Sequence, residues 1–327
     1  MVYIKLELGW GKAIKNRLQV DSQDEMNGWD SVNEQIKLLT EEGKFKTASN
    51  YLTAARSFTM FIGRENWRFS EMNDSLLEKY QRWLSERGIC MNTISAYMRG
   101  LRVMYHRAQG TCQQETFRKV FTGRAKTSKR SSTAEEIQQL CNLSLPEGSS
   151  LAWARDIFMF SFYAMGMPFV DIAYLKKCQV KGDFIYYARH KTGQLITVML
   201  LPAMQKIIRK YNDPHSEYIF PILSSPSPNI PTTQQSEALH KQYCRNLRRY
   251  NYSLHRLSEK IGASRPLSSY VVRHTWASIA YQHHLDIGLI GKALGHTKTS
   301  TTLLYISNLF DRDLADANIN LMKELEI

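Results

Sequence analysis

Toward its C-terminus the chain places Tyr270, Arg273 and His274 in one short run, His296 after Leu294-Gly295, and Tyr305 nine residues past that histidine. A cation, an imidazole and a phenol on neighbouring segments suit attack on phosphorus. A phenol titrates near pH 10 and is a poor nucleophile until positive neighbours favour its anion. Beside several cations it can attack a phosphate without a metal. Taken alone, a tyrosine in a helical stretch packs more often than it reacts, so Tyr305 matters through its company. Upstream, Lys191 stands in a Lys-Thr-Gly turn between two strand-like runs, where a lysine is usually just solvated.

Arg273 lies at the centre of an apolar helical pattern formed by Val271, Val272, Trp276 and Ile279. A buried arginine there needs an anionic partner, and phosphate fits its planar fork. Tyr270 and Arg273 are three residues apart and are expected to share a helix face. His296 follows a glycine at the end of an expected helix, 286–294, where a sharp turn would present the imidazole. A histidine there could equally bond the last-turn carbonyls.

Positioning these groups requires a helical framework. Ser31 to Thr40, Thr47 to Ile62, a third helix capped by Asn73 or Ser75, and a fourth from Met91 to Ala108 carry apolar residues at helical spacing. The fourth interleaves Arg99, Arg102, His106 and Arg107 with Tyr97, Met98, Leu101 and Tyr105, a face suited to lying against a duplex. A polar, basic stretch follows, with Lys126, Lys129 and Arg130 as either a solvated loop or a strap across phosphates. Ser132 or Thr133 before Glu135-Glu136 reads as a helix start. Trp153 to Met165 is strongly apolar and reads as a central core helix. Residues 184–190 and 195–201 flank Lys191-Thr-Gly193-Gln194 as a hairpin. Beyond 202 the signals are helical apart from a Pro/Ser-rich loop, Pro221 to Pro231. Arg245, Arg248, Arg249 and Arg256 form the densest basic cluster of this half and are either phosphate contacts or a solvated face.

Bulk properties agree with a two-domain globular protein. The 327 residues exceed most single cores. The net charge of +13 points first to nucleic acid as the partner and only weakly to an anionic membrane. No apolar run approaches the roughly 20 residues needed to span a bilayer. The first residues lack a signal-peptide core. The expectation is therefore a cytoplasmic, nucleoid-associated protein. Five scattered cysteines without a Cys-x-x-Cys pair indicate neither zinc nor a disulfide framework.

The order Lys191, Tyr270-x-x-Arg273, Leu294-Gly295-His296 and Tyr305 resembles the tyrosine recombinase (phage integrase) family, with its nearest likeness among integrases and invertases of Bacteroides-like bacteria. The resemblance implies a mainly α fold with a small β-sheet. Its parts would be an N-terminal extension (1–29), a helical core DNA-binding domain of SAM-like type (30–112), a basic linker (113–132) and a mixed α+β catalytic domain with a C-terminal tail helix (133–327). Only about 30 residues precede the helical bundle, so an extra arm-binding domain is not expected. Tyr305 would be the nucleophile that forms a 3′-phosphotyrosine. Arg273 and His296 would hold the phosphate oxygens, with Tyr270 in place of the family's histidine. Lys191 would protonate the leaving 5′-oxygen, and Asp171 and His274 would support the site. No metal or other cofactor is implied. The partners would be double-stranded DNA, a tetramer of this chain on two sites, and accessory DNA-bending proteins. The tail, 311–325, would pack onto a neighbouring subunit. The departure lies at the family's first arginine: Met165 or Pro168 stands there, in Ala164-Met-Gly-Met-Pro-Phe169. Arg155 and Lys177 are the cations that could compensate. A non-catalytic DNA-binding form and a type IB topoisomerase are the alternatives.

Overall fold

The computed structural model describes residues 27–109, 116–126, 131–225 and 231–306, with position 322 standing alone. Most of the expected N-terminal extension, Lys129 and Arg130 of the basic strap, and all but that one position of the tail helix lie outside the described residues. Contacts divide the chain into two units, 1–126 and 127–327.

Among its described residues the first unit holds four α-helices, α1 (Gly28–Glu41), α2 (Phe45–Ile62), α3 (Asp74–Glu86) and α4 (Met91–Gln109). Local chemistry sets their ends. Asn73 accepts the Leu76 N–H at 3.0 Å and starts α3 as an N-cap. The apolar faces then close on an aromatic cluster in which Phe58 meets Trp67 and Tyr80 edge-on at 5.2 and 5.3 Å. The basic residues of α4 stay toward its outer side, where Arg99 is exposed.

The second unit begins with α5 (Ala134–Asn142). Thr133 and Glu136 form a reciprocal capping box, each side chain accepting the other's backbone N–H at 3.2 Å. The central helix α6 (Ser150–Tyr163) buries Ile157, Phe158 and Phe160 completely. It stops earlier than the apolar run suggests, because Met165 and Gly166 both take left-handed conformations, φ +56° and +73°. After the short α7 (Phe169–Ala173) come three antiparallel strands, β1 (Val180–Lys181), β2 (Phe184–Ala188) and β3 (Leu195–Met199), in that order. The hairpin is thus the larger part of a three-stranded sheet, since β1 is too short to leave a signal in the sequence. Pairing of Ile185 with Val198 and of Tyr187 with Ile196 turns these four side chains onto the core. Strand β2 ends before 190, because the Arg189 carbonyl takes the Thr192 and Gly193 N–H groups in a turn, and β3 ends at Met199, just before Pro202 opens the next helix.

Helices α8 (Pro202–Lys210), α9 (Thr232–Lys260), α10 (Val271–Gln282), α11 (Ile287–Leu294) and α12 (Thr299–Leu303) complete the unit. Helix α11 is bounded as its residues dictate. Asp286 caps its N-terminus by accepting the Gly288 and Leu289 N–H groups, and Gly295 turns left-handed at its end. The fold is mainly helical with one small sheet. Among the described residues no helix is long and apolar enough to cross a membrane.

Candidate active site

Four elements of the second unit meet at one place: the turn after α6, α7 with the end of β2, the first turns of α10, and the end of α11 with α12. Two glycines permit the approach. A Cβ on Gly166 would stand 2.9 Å from Arg273 Cα, a contact that backbone cannot yield to. A Cβ on Gly295 would stand 3.0 Å from Ile196 and 3.3 Å from Arg189 Cγ. Both glycines also need positive φ.

Arg273 lies at the bottom of this cluster, 2% exposed. One terminal nitrogen donates to the Gly166 carbonyl at 3.1 Å; the other donates to the Leu294 carbonyl and lies 3.2 Å from His296 Nε2. The Leu294 carbonyl accepts a second guanidinium as well, that of Arg189, which is 8% exposed. Arg189 Nε lies 2.8 Å from Asp171 Oδ2 in an ion pair, although the N–H does not point along that line well enough for a hydrogen bond. The other Asp171 oxygen accepts the His190 N–H at 2.8 Å. Burial pushes the Asp171 carboxyl up, opposed by that N–H and by the guanidinia of Arg189 and Arg273. Burial and then the Arg189 charge push Arg273 down.

Above this charged floor stands an aromatic rim. Tyr305, in the turn that ends α12, stacks on His274 with ring centres 4.5 Å apart and planes 21° from parallel. The Arg273 guanidinium lies 5.4 Å from the centre of the Tyr305 ring, within cation–π range. The Tyr305 hydroxyl hydrogen-bonds that of Tyr270. Tyr270 precedes α10 as its N-cap residue with helical φ and ψ and is half exposed, while Arg273, one turn on, is buried; both side chains reach Tyr305. The two reach Tyr305 from different sides, one at the hydroxyl and one at the ring. Burial, then the hydrogen bond to Tyr305, pushes the Tyr270 hydroxyl up.

His296 lies between floor and rim, its ring 4.8 Å from that of Tyr305. Its Nδ1 is 3.1 Å from Thr302 Oγ1, on α12. Burial, then Arg273 and Arg189, lower its pKa to about 4, so the ring is neutral at pH 7. Since Nε2 faces a guanidinium that only donates, the network assigns the ring proton to Nδ1.

Met165 is half-buried against the core and Pro168 precedes α7. Arg155 is held by Asp156 and the Leu143 carbonyl, and Lys177 by the Asp213 carbonyl, so both cations considered for the missing arginine are engaged elsewhere. Lys191 is exposed in the turn two residues past Arg189. Arg245, Arg248, Arg249 and Arg256 are exposed on α9 at spacings that place them, with Tyr252, on one side of the helix. In the first unit, Arg99 donates to the Ser95 carbonyl, Lys126 is exposed, and Arg102 lines a shallow cavity of about 270 Å³ with His106 and Arg118.

Arg189 is the residue that the sequence reading missed. A signal for it exists. Ile185 and Tyr187 face the core, and the period-two alternation of a strand carries the next inward position to 189. An arginine at an inward position needs an anion, and Asp171 is the one it finds.

A mainly helical chain with one small sheet, and a phenol set among arginines and histidines, is of the tyrosine recombinase class. Residues 130–312 match the model of the phage integrase family, and residues 29–120 match the phage integrase SAM-like domain. The chain belongs to the phage integrase family, whose members are site-specific tyrosine recombinases. No curated protein matches it in sequence. Among solved structures it is similar to a lambda integrase (75–356) dimer bound to a COC′ core site, at 18% identity, covering 88% of this chain and 97% of that one, with a TM-score of 0.56. The Tn1549 transposon integrase in complex with a circular intermediate DNA is 13% identical over 91% of this chain and 99% of its own, with a TM-score of 0.58. A lambda integrase tetramer bound to a Holliday junction is 15% identical over 88% of this chain and 80% of its own, with a TM-score of 0.57. At these identities the likeness is one of fold.

Proposed function

We propose that Tyr305 cuts a DNA strand by attacking the scissile phosphate, leaving a 3′-phosphotyrosine and a free 5′-hydroxyl. The observation that carries this reading is the phenol ring of Tyr305 lying over a buried guanidinium and beside a neutral imidazole. As the Tyr305 oxygen bonds to phosphorus, its proton passes to the bare Nε2 of neutral His296; charge gathers on the non-bridging oxygens, and Arg273, joined by the imidazolium so formed, holds it. Tyr270, already bonded to the nucleophile's hydroxyl, donates to one such oxygen. Donors fixed before the reaction favour the transition state over the ground state, because no reorganisation is needed when charge develops. Lys191, on its exposed turn, protonates the 5′-oxygen as the P–O5′ bond breaks. The phosphotyrosine conserves the bond energy, and a 5′-hydroxyl from a partner duplex reverses the step.

Asp171 and His274 hold the guanidinium and the phenol in place. The exposed arginines of α9, with Arg99, Arg102 and the basic residues from Lys126 to Arg130, contact phosphates, which position a protein without naming a sequence. Four copies on two duplexes exchange strands pairwise through a Holliday junction, in line with the lambda integrase tetramer that this fold resembles. Such a protein works in the cytoplasm on the nucleoid. The family match favours recombination over topoisomerase relaxation.

The test is a suicide substrate: nicked duplexes carrying candidate sites from around the chain's own gene, followed by denaturation. The expected result is a protein–DNA adduct that disappears completely in Tyr305→Phe. Tight binding without an adduct would make the chain a DNA-binding protein only.

A further inference from the structure

We propose that Arg189 is a second catalytic guanidinium, contacting the scissile phosphate beside Arg273 where the Met165 turn offers no cation. The proposal rests on the reading of Tyr305 as the nucleophile.

Position is the first argument. Arg189 and Arg273 approach from different elements, the end of β2 and the first turn of α10, yet both donate to the Leu294 carbonyl. Two donors that share one oxygen at hydrogen-bond distance lie within about 6 Å of each other. A phosphodiester offers two non-bridging oxygens of greater negative charge than a peptide carbonyl, and either guanidinium gains by exchanging one for the other. Arg273 Nε has no hydrogen-bond partner among the described residues, and Arg189 Nε meets Asp171 without one. Donor capacity therefore remains in the floor of the site.

Charge is the second argument. Two guanidinia and one carboxylate, all under 9% exposed, leave a net +1 in a place that water barely reaches. A strut that only joined the hairpin to α7 would need one arginine and one aspartate, which neutralise each other. The excess charge is costly while the site is empty, as the lowering of Arg273 by burial and then by the Arg189 charge reflects. A phosphodiester cancels it, and the doubly charged pentacoordinate phosphorus more than cancels it. The interaction thus grows from ground state to transition state, which is the condition for accelerating the reaction.

Rigidity is the third argument. Asp171 is held by the His190 N–H and itself holds Arg189, while the Gly295 turn leaves room for the Arg189 stem. The guanidinium is in place before any DNA arrives. Arg155 and Lys177 are tied to other partners and do not compete for the role.

The experiment compares two nicked suicide duplexes carrying the chain's own site. One has the ordinary phosphodiester and the other a methylphosphonate at the scissile position, which removes one charged oxygen. Wild type, Arg189→Ala and Arg189→Lys are used after each is shown to bind the duplex equally well. Arg189→Ala is expected to form the Tyr305 adduct about 10²–10³ times more slowly on the phosphodiester. On the methylphosphonate the deficit should shrink to less than about tenfold, because that substrate needs less positive charge, and Arg189→Lys should fall between. An equal deficit on both substrates would make Arg189 a structural strut and overturn the proposal, as would an unimpaired Arg189→Ala. If Arg189→Ala does not fold, the same two-substrate comparison is read from Arg189→Lys. A wild type that forms no adduct on either duplex would instead sink the reading of Tyr305, a distinguishable failure.

Discussion

The floor and the rim of the site are built in opposite ways. Arg189, Arg273 and Asp171 are buried, come from three separate elements, and are tied to backbone carbonyls, a backbone N–H and one another. Tyr270, His274 and Tyr305 are more open to solvent and are held by ring stacking, by the hydroxyl–hydroxyl bond and, at the Tyr305 carbonyl, by His274 Nδ1 at 3.3 Å and Ser278 Oγ at 3.4 Å. Charge is set in advance by packing, whereas the nucleophile rests on contacts each worth only about 0.5–1.5 kcal/mol. The difference matches what each part must do. Charges that stabilise a transition state act best when they do not move. A phenol that becomes bonded to DNA and is later released must be able to move.

This contrast can be broken by mutation, and damage to the floor should be larger than damage to the rim. Arg273→Ala should slow adduct formation by about 10²–10³-fold, measured by quenched single-turnover cleavage. A loss under tenfold would remove Arg273 from the charged floor. Gly166→Ala should cost about 1–3 kcal/mol in urea unfolding, through its positive φ, and slow cleavage besides, because the added methyl meets Arg273 Cα at 2.9 Å. Unchanged stability would mean that the turn is not packed as described.

Rim substitutions should be milder. Tyr270→Phe removes one hydrogen bond to Tyr305, so cleavage should slow by about two- to tenfold with DNA affinity unchanged. A hundredfold loss would place Tyr270 among the essential donors. His296 supplies the smallest effect, on stability and pH. Folded His296 stays neutral down to about pH 4, while an unfolded histidine protonates near pH 6.5. Between these values the unfolded chain binds more protons, so stability falls as pH drops from 6.5 toward 4. His296→Gln should flatten that part of the melting-temperature profile. A profile parallel to wild type would show that His296 is not held neutral by the floor.

Helix existence and most helix ends were legible in the residues, because they depend on neighbours within a turn or two. Asn73, Thr133 with Glu136, and Asp286 with Gly295 act on their own backbone, and the helices begin and stop where those residues stand. Tyr305, His296 and Arg273 could be singled out because their spacing resembles a family. The apolar run to Met165 misled by two residues at the end of α6, since two consecutive left-handed residues after Tyr163 leave no mark in hydropathy. Tyr270 and Arg273, three residues apart, both meet Tyr305, as their spacing on one helix face implies, but the burial of one and the exposure of the other come from the packing around α10.

What the chain determined by itself is therefore local: caps, amphipathic faces, the turn around Lys191, a basic surface and a nucleophile with its near companions. Tertiary structure decided the electrostatics. Arg189 lies 105 residues from Leu294 and its carbonyl, and Arg273 lies 107 from Gly166. Residue identity at these positions says that a charge exists. Only the packing of hairpin, turn and helices removes water from around it and brings two like charges to one oxygen, and that distance and burial set what the charges are worth.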